Sequence, residues 1–316
     1  MGIIQKIPAM KFSHVMICCS LLLHAACKKS LDLNGGTPDF NVAAATGNFK
    51  AGEPVLFRFT GNANIISFYS GEPLKDYAFR TGRTENCSGG LLSFTSAVTG
   101  GAQTGQFVVL ASSNFNGQYT DLAAVQAATW TDITARFTLG TSATFLASGL
   151  KDISDLLVKG KPLYIAFRYL TKPQQLNGAA RTWMVQSFSF QSITPLGNLA
   201  ATDMFTNAFR LVNSNPATAP ARSTASTSRI TLLANAFTAD NDPATENWAI
   251  SAPITWETVN LGPDRPTGIK GGTAARLESY SHTYSKPGTY KAYFVASNTN
   301  IDKSSEVVKE VTVTVQ

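Results

Sequence analysis

The stretch from Tyr280 to Asn298 constrains the fold of this chain more than any other. Pro287 fixes φ at the first central position of a turn and Gly288 accepts a positive φ at the second, so the chain should reverse its direction there. The residues that follow alternate with the period of a strand buried on one face. One face carries Tyr290, Ala292, Phe294 and Ala296, and the other carries Lys291, Tyr293 and Val295. The sequence therefore predicts a β-hairpin and, with it, a protein built from sheets.

Strands of the same kind begin soon after residue 40. Val55, Phe57 and Phe59 would share one face of a strand, and Ile65 to Tyr69 would form the next strand. A final strand is expected from Val307 to Val315. Neither end of the chain supplies the roughly seven strands of an immunoglobulin-like sandwich by itself, so we expect the two ends to share one core.

Both ends also resemble one family of domains. The segment from Phe49 to Phe57 is similar to the opening strands of PKD-type domains, and the stretch from Tyr280 resembles their closing "HTY-x-x-PGTY" motif. The resemblance implies an immunoglobulin/PKD-like β-sandwich. We expect it to be discontinuous, with residues 38–84 and 276–316 as its two parts.

A different pattern fills the middle of the chain. Strand-like segments recur at residues 91–94, 106–112, 128–133, 163–169 and 182–188. Over roughly residues 88–192 their order resembles the jelly-roll domains of cleaved adhesins and choice-of-anchor surface proteins. Asn247 to Ile254 is similar to the strand that normally opens such a domain, which would make the fold circularly permuted. We therefore expect an all-β protein with a galactose-binding-like jelly-roll β-sandwich inserted at residues 85–275.

A sequential layout is the alternative. Residues 38–212 and 229–316 would then form two successive domains. Asn213 to Ser228 supports this layout, because a run of Asn, Pro, Ala, Ser and Thr cannot bury a core and is typical of a linker. In the inserted layout the same run would be a surface loop.

The amino terminus has the pattern of a targeting signal. Lys6 and Lys11 accompany an apolar run that is too short to span a bilayer, as in a secretory signal peptide of residues 1–26. Ala25-Ala26-Cys27 resembles the lipobox of bacterial lipoproteins, which would make Cys27 the lipidation site and residues 27–37 a flexible tether. An ordinary secretory signal is the alternative, because His24 stands where a lipobox usually has leucine.

Three motifs together resemble a family of Bacteroidota surface lipoproteins catalogued as domain of unknown function 5017. They are the lipobox, the "Phe-x-Tyr-Ser-Gly-Glu-Pro" segment that begins at Phe68, and the closing motif that begins at Tyr280. The resemblance implies a lipid anchor in the outer membrane, on the cell surface or the periplasmic face. It also implies a context of polysaccharide capture beside outer-membrane glycan-uptake proteins.

Catalysis finds little support in the sequence, and we expect no enzyme. His282 is the only histidine after the signal, and it lies in the closing motif, where a structural role is expected. The chain has no Gly-x-Ser-x-Gly elbow, no His-Glu-x-x-His motif and no glycine-rich phosphate loop before a helix. The net charge of +6 is mild and forms no basic stripe, so nucleic acid is not an expected partner.

Glycan binding requires aromatic rings to stack on sugars and polar groups to bond their hydroxyls. Side chains with these properties in predicted loops or between domains are Tyr69, Asn114, Asn116, Tyr119 and Trp256. Asp240 and Asp242 lie in a loop that could hold a structural calcium ion, although a plain surface turn would have the same composition. We expect no other cofactor.

The first functional hypothesis is thus a non-catalytic, lipid-anchored glycan-binding protein with a polysaccharide or oligosaccharide as its partner. The second is a structural or adhesive surface protein that binds a protein partner through an exposed apolar patch. A glycoside hydrolase is the third and weakest hypothesis, because its two carboxylates would be recognised only by their separation in space.

Overall fold

A computed structural model describes residues 32–33, 36–214, 220–236 and 242–316. The predicted signal peptide and Cys27 lie outside these residues. The described chain is almost entirely antiparallel β-structure, which confirms the predicted all-β class.

The described strands are numbered in chain order. They are β1 Asp39–Ala44, β2 Pro54–Asn62, β3 Ile65–Tyr69, β4 Arg83–Asn86, β5 Gly89–Thr99, β6 Phe107–Ser112, β7 Thr131–Asp132, β8 Leu146–Ala147, β9 Lys151–Asp152, β10 Tyr164–Thr171, β11 Thr182–Thr194, β12 Gly197–Asp203, β13 Arg210–Asn213, β14 Thr224–Ala225, β15 Ile230–Leu232, β16 Thr245–Ile250, β17 Thr258–Gly262, β18 Thr267–Lys270, β19 Ser279–Thr283, β20 Gly288–Thr299 and β21 Ser304–Val315. Two short α-helices are α1 Leu122–Gln126 and α2 Gln174–Asn177, and 3₁₀ turns lie at Tyr77–Phe79, Thr134–Arg136 and Ser154–Leu156.

The chain divides into two compact units. The first unit combines the described residues up to Ala78 with Arg265–Gln316, and the second unit is Phe79–Asp264. The composition-biased segment from Asn213 to Ser228 falls within the second unit, where β13 before it pairs with β16 after it. Residues 215–219 of that segment lie outside the described residues.

The first unit is a sandwich of two sheets. One sheet has the order β1-β2-β19 and the other has the order β18-β3-β20-β21. The strand patterns predicted from the sequence supply its core, which contains Val55, Phe57, Phe59, Ile66, Phe68, Tyr284, Ala292, Phe294, Ala296 and Val313. Phe57 of β2 and Phe294 of β20 meet edge to face with their ring centroids 5.0 Å apart, so both ends of the chain contribute to one core.

The predicted hairpin around Pro287 is wrong. Strand β19 before the turn pairs with β2, whereas β20 after it pairs with β3 and β21. The turn therefore connects the two sheets instead of closing a hairpin within one. The physical reason is Tyr284, which follows β19 and is fully buried, because burying its ring carries the chain across the core from one sheet to the other.

The second unit is a larger sandwich. One sheet has the order β13-β16-β10-β6-β7, and the other has the order β14-β15-β11-β5-β8, with β12 and β9 paired to β11 and β5. Phe94 and Phe190 of the second sheet share a core with Val109 and Phe167 of the first. Most of β10 is buried on both faces, because a further cluster that includes Val125 of α1 covers its outer side.

A short ribbon of β4 and β17 lies where the chain enters and leaves the second unit. The guanidinium of Arg83 donates two hydrogen bonds of 2.8 Å to the carboxylate of Asp264, and both side chains are buried. Arg83 also lies over the ring of Phe79, 3.7 Å from its centroid. These contacts hold the two ends of the second unit together.

Candidate functional site

A cleft with a volume of about 380 Å³ opens on the second unit. It lies where β6, β7 and the Ser154–Leu156 turn come together. Its lining is rich in polar side chains: Ser112, Ser113, Asn114, Thr129, Thr131, Asp155 and Lys161, with Leu156 and Val158 as apolar members.

Asn114, one of the residues predicted to bind a ligand, is held firmly in this cleft. Its Oδ1 accepts hydrogen bonds from the Ser112 hydroxyl and from the Thr129 backbone N–H, both at 2.9 Å. Its Nδ2 donates to the Thr129 hydroxyl at 3.3 Å. The loop after β6 and the loop before β7 are thereby fixed to each other, so this wall of the cleft is formed before any ligand arrives.

Asp155 brings a negative charge to the same cleft. The guanidinium of Arg136 donates two hydrogen bonds of 2.7 Å to its two carboxylate oxygens. These bonds lower the pKa of Asp155 below its ordinary value, so the carboxylate stays ionised at neutral pH. A general acid for glycoside cleavage needs a raised pKa instead.

A second cleft, of about 220 Å³, contains the predicted ligand residue Trp256. The indole is half-buried against the core of the second unit. Its Nε1–H has no hydrogen-bond partner among the residues that the structure describes. Glu257 lines the cleft beside it and accepts a hydrogen bond of 3.1 Å from the Gly160 backbone N–H.

Lys161 lines both clefts, so the two lie beside each other on the second unit. We call the two clefts together the Lys161 groove. It brings Asn114 and Trp256 to one surface, although they are far apart in the sequence. It adds an ammonium, two carboxylates and several hydroxyls to the amide and the indole.

Lys161, Asp155, Thr129 and Glu257 are groove residues that the sequence analysis does not identify. Each is a common residue type in a loop or strand end, and such residues are solvated in most proteins. The short Gly160-Lys161-Pro162 segment is the one local signal, because glycine and proline mark a loop on which binding residues are often placed.

The other predicted ligand residues lie outside the groove. Tyr69 is buried on the first unit, where its ring meets that of Tyr77 at 5.3 Å. Asn116 accepts a hydrogen bond from the Gln118 backbone N–H within its own loop. Tyr119 donates its hydroxyl to the Ser251 carbonyl at 2.9 Å, and burial raises its pKa to about 12.

The predicted calcium loop is described only in part. Asp240 lies outside the described residues, and Asp242 lines a small hollow with Lys172 and Asn235. Within the described ranges, no group of three or more His, Cys, Asp or Glu side chains is close enough to hold a metal ion. Calcium binding stays a prediction.

A third cleft, of about 260 Å³, lies elsewhere on the second unit and is lined by Arg181 and Trp183. Trp183 stacks on Phe107 with ring centroids 4.7 Å apart. The Nε atoms of Arg181 and Trp183 have no hydrogen-bond partner in the described part of the chain. Its lining offers fewer polar side chains than the Lys161 groove.

His282 lies in the first unit, between the rings of Phe68 and Tyr284. Its Nε2 is 2.8 Å from a carboxylate oxygen of Glu72. Both side chains are only about one quarter exposed, so the pair joins the "Ser-Gly-Glu-Pro" loop to the closing motif. This position fits the structural role expected for the histidine.

The fold and the groove define a β-sandwich protein with open, polar clefts on its second unit. The chain belongs to the family described as domain of unknown function (DUF5017), whose sequence profile matches residues 26–209. This match covers more than half of the chain and confirms the predicted family. No curated protein and no solved structure matches the chain. Among the described residues, no helix is long and apolar enough to cross a membrane.

Proposed function

We propose that this protein is a lipid-anchored, non-catalytic glycan-binding protein and that the Lys161 groove is its binding site. The observation that carries the proposal is the meeting of Trp256 and Asn114 at one groove through Lys161. An indole, an amide, hydroxyls and charged groups are the chemistry that a sugar chain requires.

The shape of the groove supports a polymeric ligand. The Asn114 cleft alone lies within the range of about 300–1,000 Å³ that is usual for ligand sites. The Trp256 cleft shares Lys161 with it, so a ligand that fills both clefts would run past this side chain. A polysaccharide or oligosaccharide could lie along such a surface with its ends in solvent.

The ionisation of Asp155 supports binding without cleavage. Its lowered pKa suits a hydrogen-bond acceptor for sugar hydroxyls, whereas glycoside hydrolysis needs a protonated partner carboxyl. Incubating the protein with the polysaccharide that it binds should therefore release no reducing sugar.

Anchoring through Cys27 would place the groove at a membrane, in the outer-membrane context that the sequence motifs imply. The proposed partners are a glycan and neighbouring outer-membrane uptake proteins. Metabolic labelling with a fatty acid, lost in the Cys27→Ser variant, would establish the anchor.

Affinity electrophoresis in gels that contain a panel of polysaccharides tests the binding site. At least one polysaccharide should retard the wild-type protein. Trp256→Ala should lose most of the retardation, because the stacking surface is removed, and Lys161→Ala should weaken it. Arg181→Ala in the third cleft is the matched control and should migrate like the wild type.

Two results would overturn the proposal. One is a protein that no polysaccharide in the panel retards. The other is retardation that Arg181→Ala abolishes while Trp256→Ala leaves it intact, which would move the site to the third cleft. Thermal melting of each variant shows whether the fold has survived the change.

A further inference from the structure

The described residues nearest to the predicted anchor are attached to one end of the first unit. Lys303 pairs its ammonium with the Asp32 carboxylate at 2.9 Å, and the Asn300 amide donates to the Asp32 carbonyl at 3.0 Å. Further along, the Asn298 amide donates to the Gly36 carbonyl at 3.0 Å. Asp32 and Gly36 are thereby tied to the end of β20 and to the turn that follows it.

These contacts limit how far the turn can be from the anchor. Asp32 is five residues after Cys27. A fully extended chain spans about 3.3–3.6 Å per residue, so the backbone at Asp32 lies within about 18 Å of Cys27. An acylated Cys27 would sit at the bilayer surface, and the polar region on each side of the hydrocarbon core is itself only about 5–8 Å thick. In a chain acylated at Cys27, the turn would therefore be close to the lipid headgroups.

The same turn exposes a large aliphatic side chain. Ile301 is 89% exposed, the highest value among the described large hydrophobic residues. The turn around it is well ordered, because the Asn300 side chain accepts hydrogen bonds from the backbone N–H groups of Asp302 and Lys303. The Asn300 N–H also donates to the Lys303 carbonyl at 2.9 Å. A single exposed isoleucine is ordinary in itself, but this one projects from the turn to which Asp32 is tied.

We propose that the turn from Asn300 to Lys303 is a membrane-contacting tip of the first unit and that Ile301 enters the headgroup layer of the bilayer. The inference rests on the proposed lipidation of Cys27. It gives the unit a fixed orientation. Strand β20 has 12 residues, and at about 3.3 Å per residue the Lys286–Gly288 turn at its other end lies roughly 36 Å from the tip.

Photo-crosslinking tests the orientation. The full chain is produced in a host that acylates lipoproteins, with p-benzoylphenylalanine in place of Ile301, and a second version carries it in place of Pro287. Membranes are irradiated, and phospholipid adducts are measured by mass spectrometry. Adducts should form at position 301 at least tenfold more often than at position 287.

A companion variant tests the role of the contacts that Asn300 and Lys303 make with Asp32. Asn300→Ala combined with Lys303→Met removes both contacts to Asp32, so the unit is held only from Gly36 onwards and the tip is less closely tied to the anchor. Adduct formation at position 301 should then fall towards the value at position 287. Equal adduct formation at both positions in the intact protein, or an excess at position 287, would overturn the proposal.

A second preparation tests the orientation of the unit independently of whether cells lipidate Cys27. The chain that begins at Cys27, with Cys87→Ser to leave one thiol, is coupled through Cys27 to a maleimide lipid in phosphatidylethanolamine–phosphatidylglycerol vesicles. If the cells leave Cys27 unmodified, the lipidation proposal fails, yet the coupled protein still reports on the tip. If the coupled protein gives no excess of adducts at position 301, the tip proposal fails by itself.

Discussion

The Tyr284 hydroxyl donates a hydrogen bond of 3.0 Å to the carbonyl oxygen of Ser70, which lies 214 residues earlier in the chain. Glu72, two residues further on, pairs with His282 on the same closing motif. Between them is Gly71, which has a φ of +80°, and a Cβ atom there would lie 2.6 Å from the Lys291 carbonyl oxygen. The two sequence motifs at opposite ends of the chain are therefore one structural element.

Replacing Tyr284 by Phe should destabilise the first unit by about 1–3 kcal/mol. Tyr284 is fully buried, so the change leaves the buried Ser70 carbonyl without its donor, and such an orphaned group bears its full desolvation cost. Urea denaturation followed by a signal from the first unit measures the effect.

The neighbouring tyrosine offers a control for this measurement. Tyr290 stacks on Tyr284 and donates to the Lys286 carbonyl, but that hydrogen bond is exposed to water. Tyr290→Phe should cost less than about 0.5 kcal/mol, because water replaces the lost donor. Equal losses of stability in the two variants would mean that the buried hydrogen bond to Ser70 contributes no more than the exposed hydrogen bond to Lys286.

Breaking the ion pair between Arg83 and Asp264 should be costly. The side chains are only 7% and 1% exposed, so Asp264→Asn would leave the buried guanidinium with Glu85, 2.8 Å away, as its carboxylate partner. We expect a loss of about 1.5–3 kcal/mol in the free energy of unfolding of the second unit.

Arg136 and Asp155 form a pair with the same two-pronged geometry at the surface, with side chains 32% and 60% exposed. Asp155→Asn should cost at most about 1 kcal/mol, because water screens that pair. Chemical denaturation of both variants compares them. A similar cost for the two would show that burial does not set the strength of the Arg83 pair.

The faces of the strands in the first unit are predictable from the sequence, but their partners are not. Val55, Phe57 and Phe59 are buried as their alternation indicates. The Pro287-Gly288 reversal, however, is compatible both with a hairpin and with a crossing between sheets. Which of the two forms depends on the burial of Tyr284 against residues far away in the sequence. No local sequence pattern predicts that burial.

The candidate site is predictable only in part, for a similar reason. Asn114 and Trp256 stand out by their chemistry, and the structure places both at the Lys161 groove. Tyr119 has the same kind of chemistry, but it lies outside the groove, with its hydroxyl on the Ser251 carbonyl. Whether such a side chain lies in the groove or outside it depends on tertiary packing, so sequence alone does not separate these cases.

The stability of the second unit should fall at alkaline pH. Tyr169 is fully buried, and burial raises its pKa from 10.0 to about 12. The unfolded chain loses the phenol proton above pH 10 while the folded chain keeps it, so this stabilising contribution is present below pH 10 and is lost as the pH rises towards 12. The loss from this group amounts to about 2–3 kcal/mol.

Urea denaturation at pH 8, 10 and 11.5 measures this loss. Tyr169→Phe removes the titrating group together with its hydrogen bond to the Arg181 carbonyl, so the variant should be less stable at pH 8. Its stability should decline less steeply between pH 10 and 12 than that of the wild type. If the stabilities of the variant and the wild type declined in parallel, Tyr169 would ionise equally easily in the folded and the unfolded chain.

Removing Tyr280–Gln316 should unfold the rest of the first unit and spare the second. The deletion takes away β20, β21 and nearly all of β19, and with them the rings that cover Phe57 and Phe68. Each large apolar side chain returned to water costs about 1.5–3 kcal/mol, so the loss of several contacts equals the whole stability of a domain. Hydrogen exchange should show amides of β2 exchanging at least a hundredfold faster, while amides of β10 in the second unit keep their protection. Retained protection at Phe57 would show that the amino-terminal strands fold without the end of the chain, and the shared core would then not be needed for their stability.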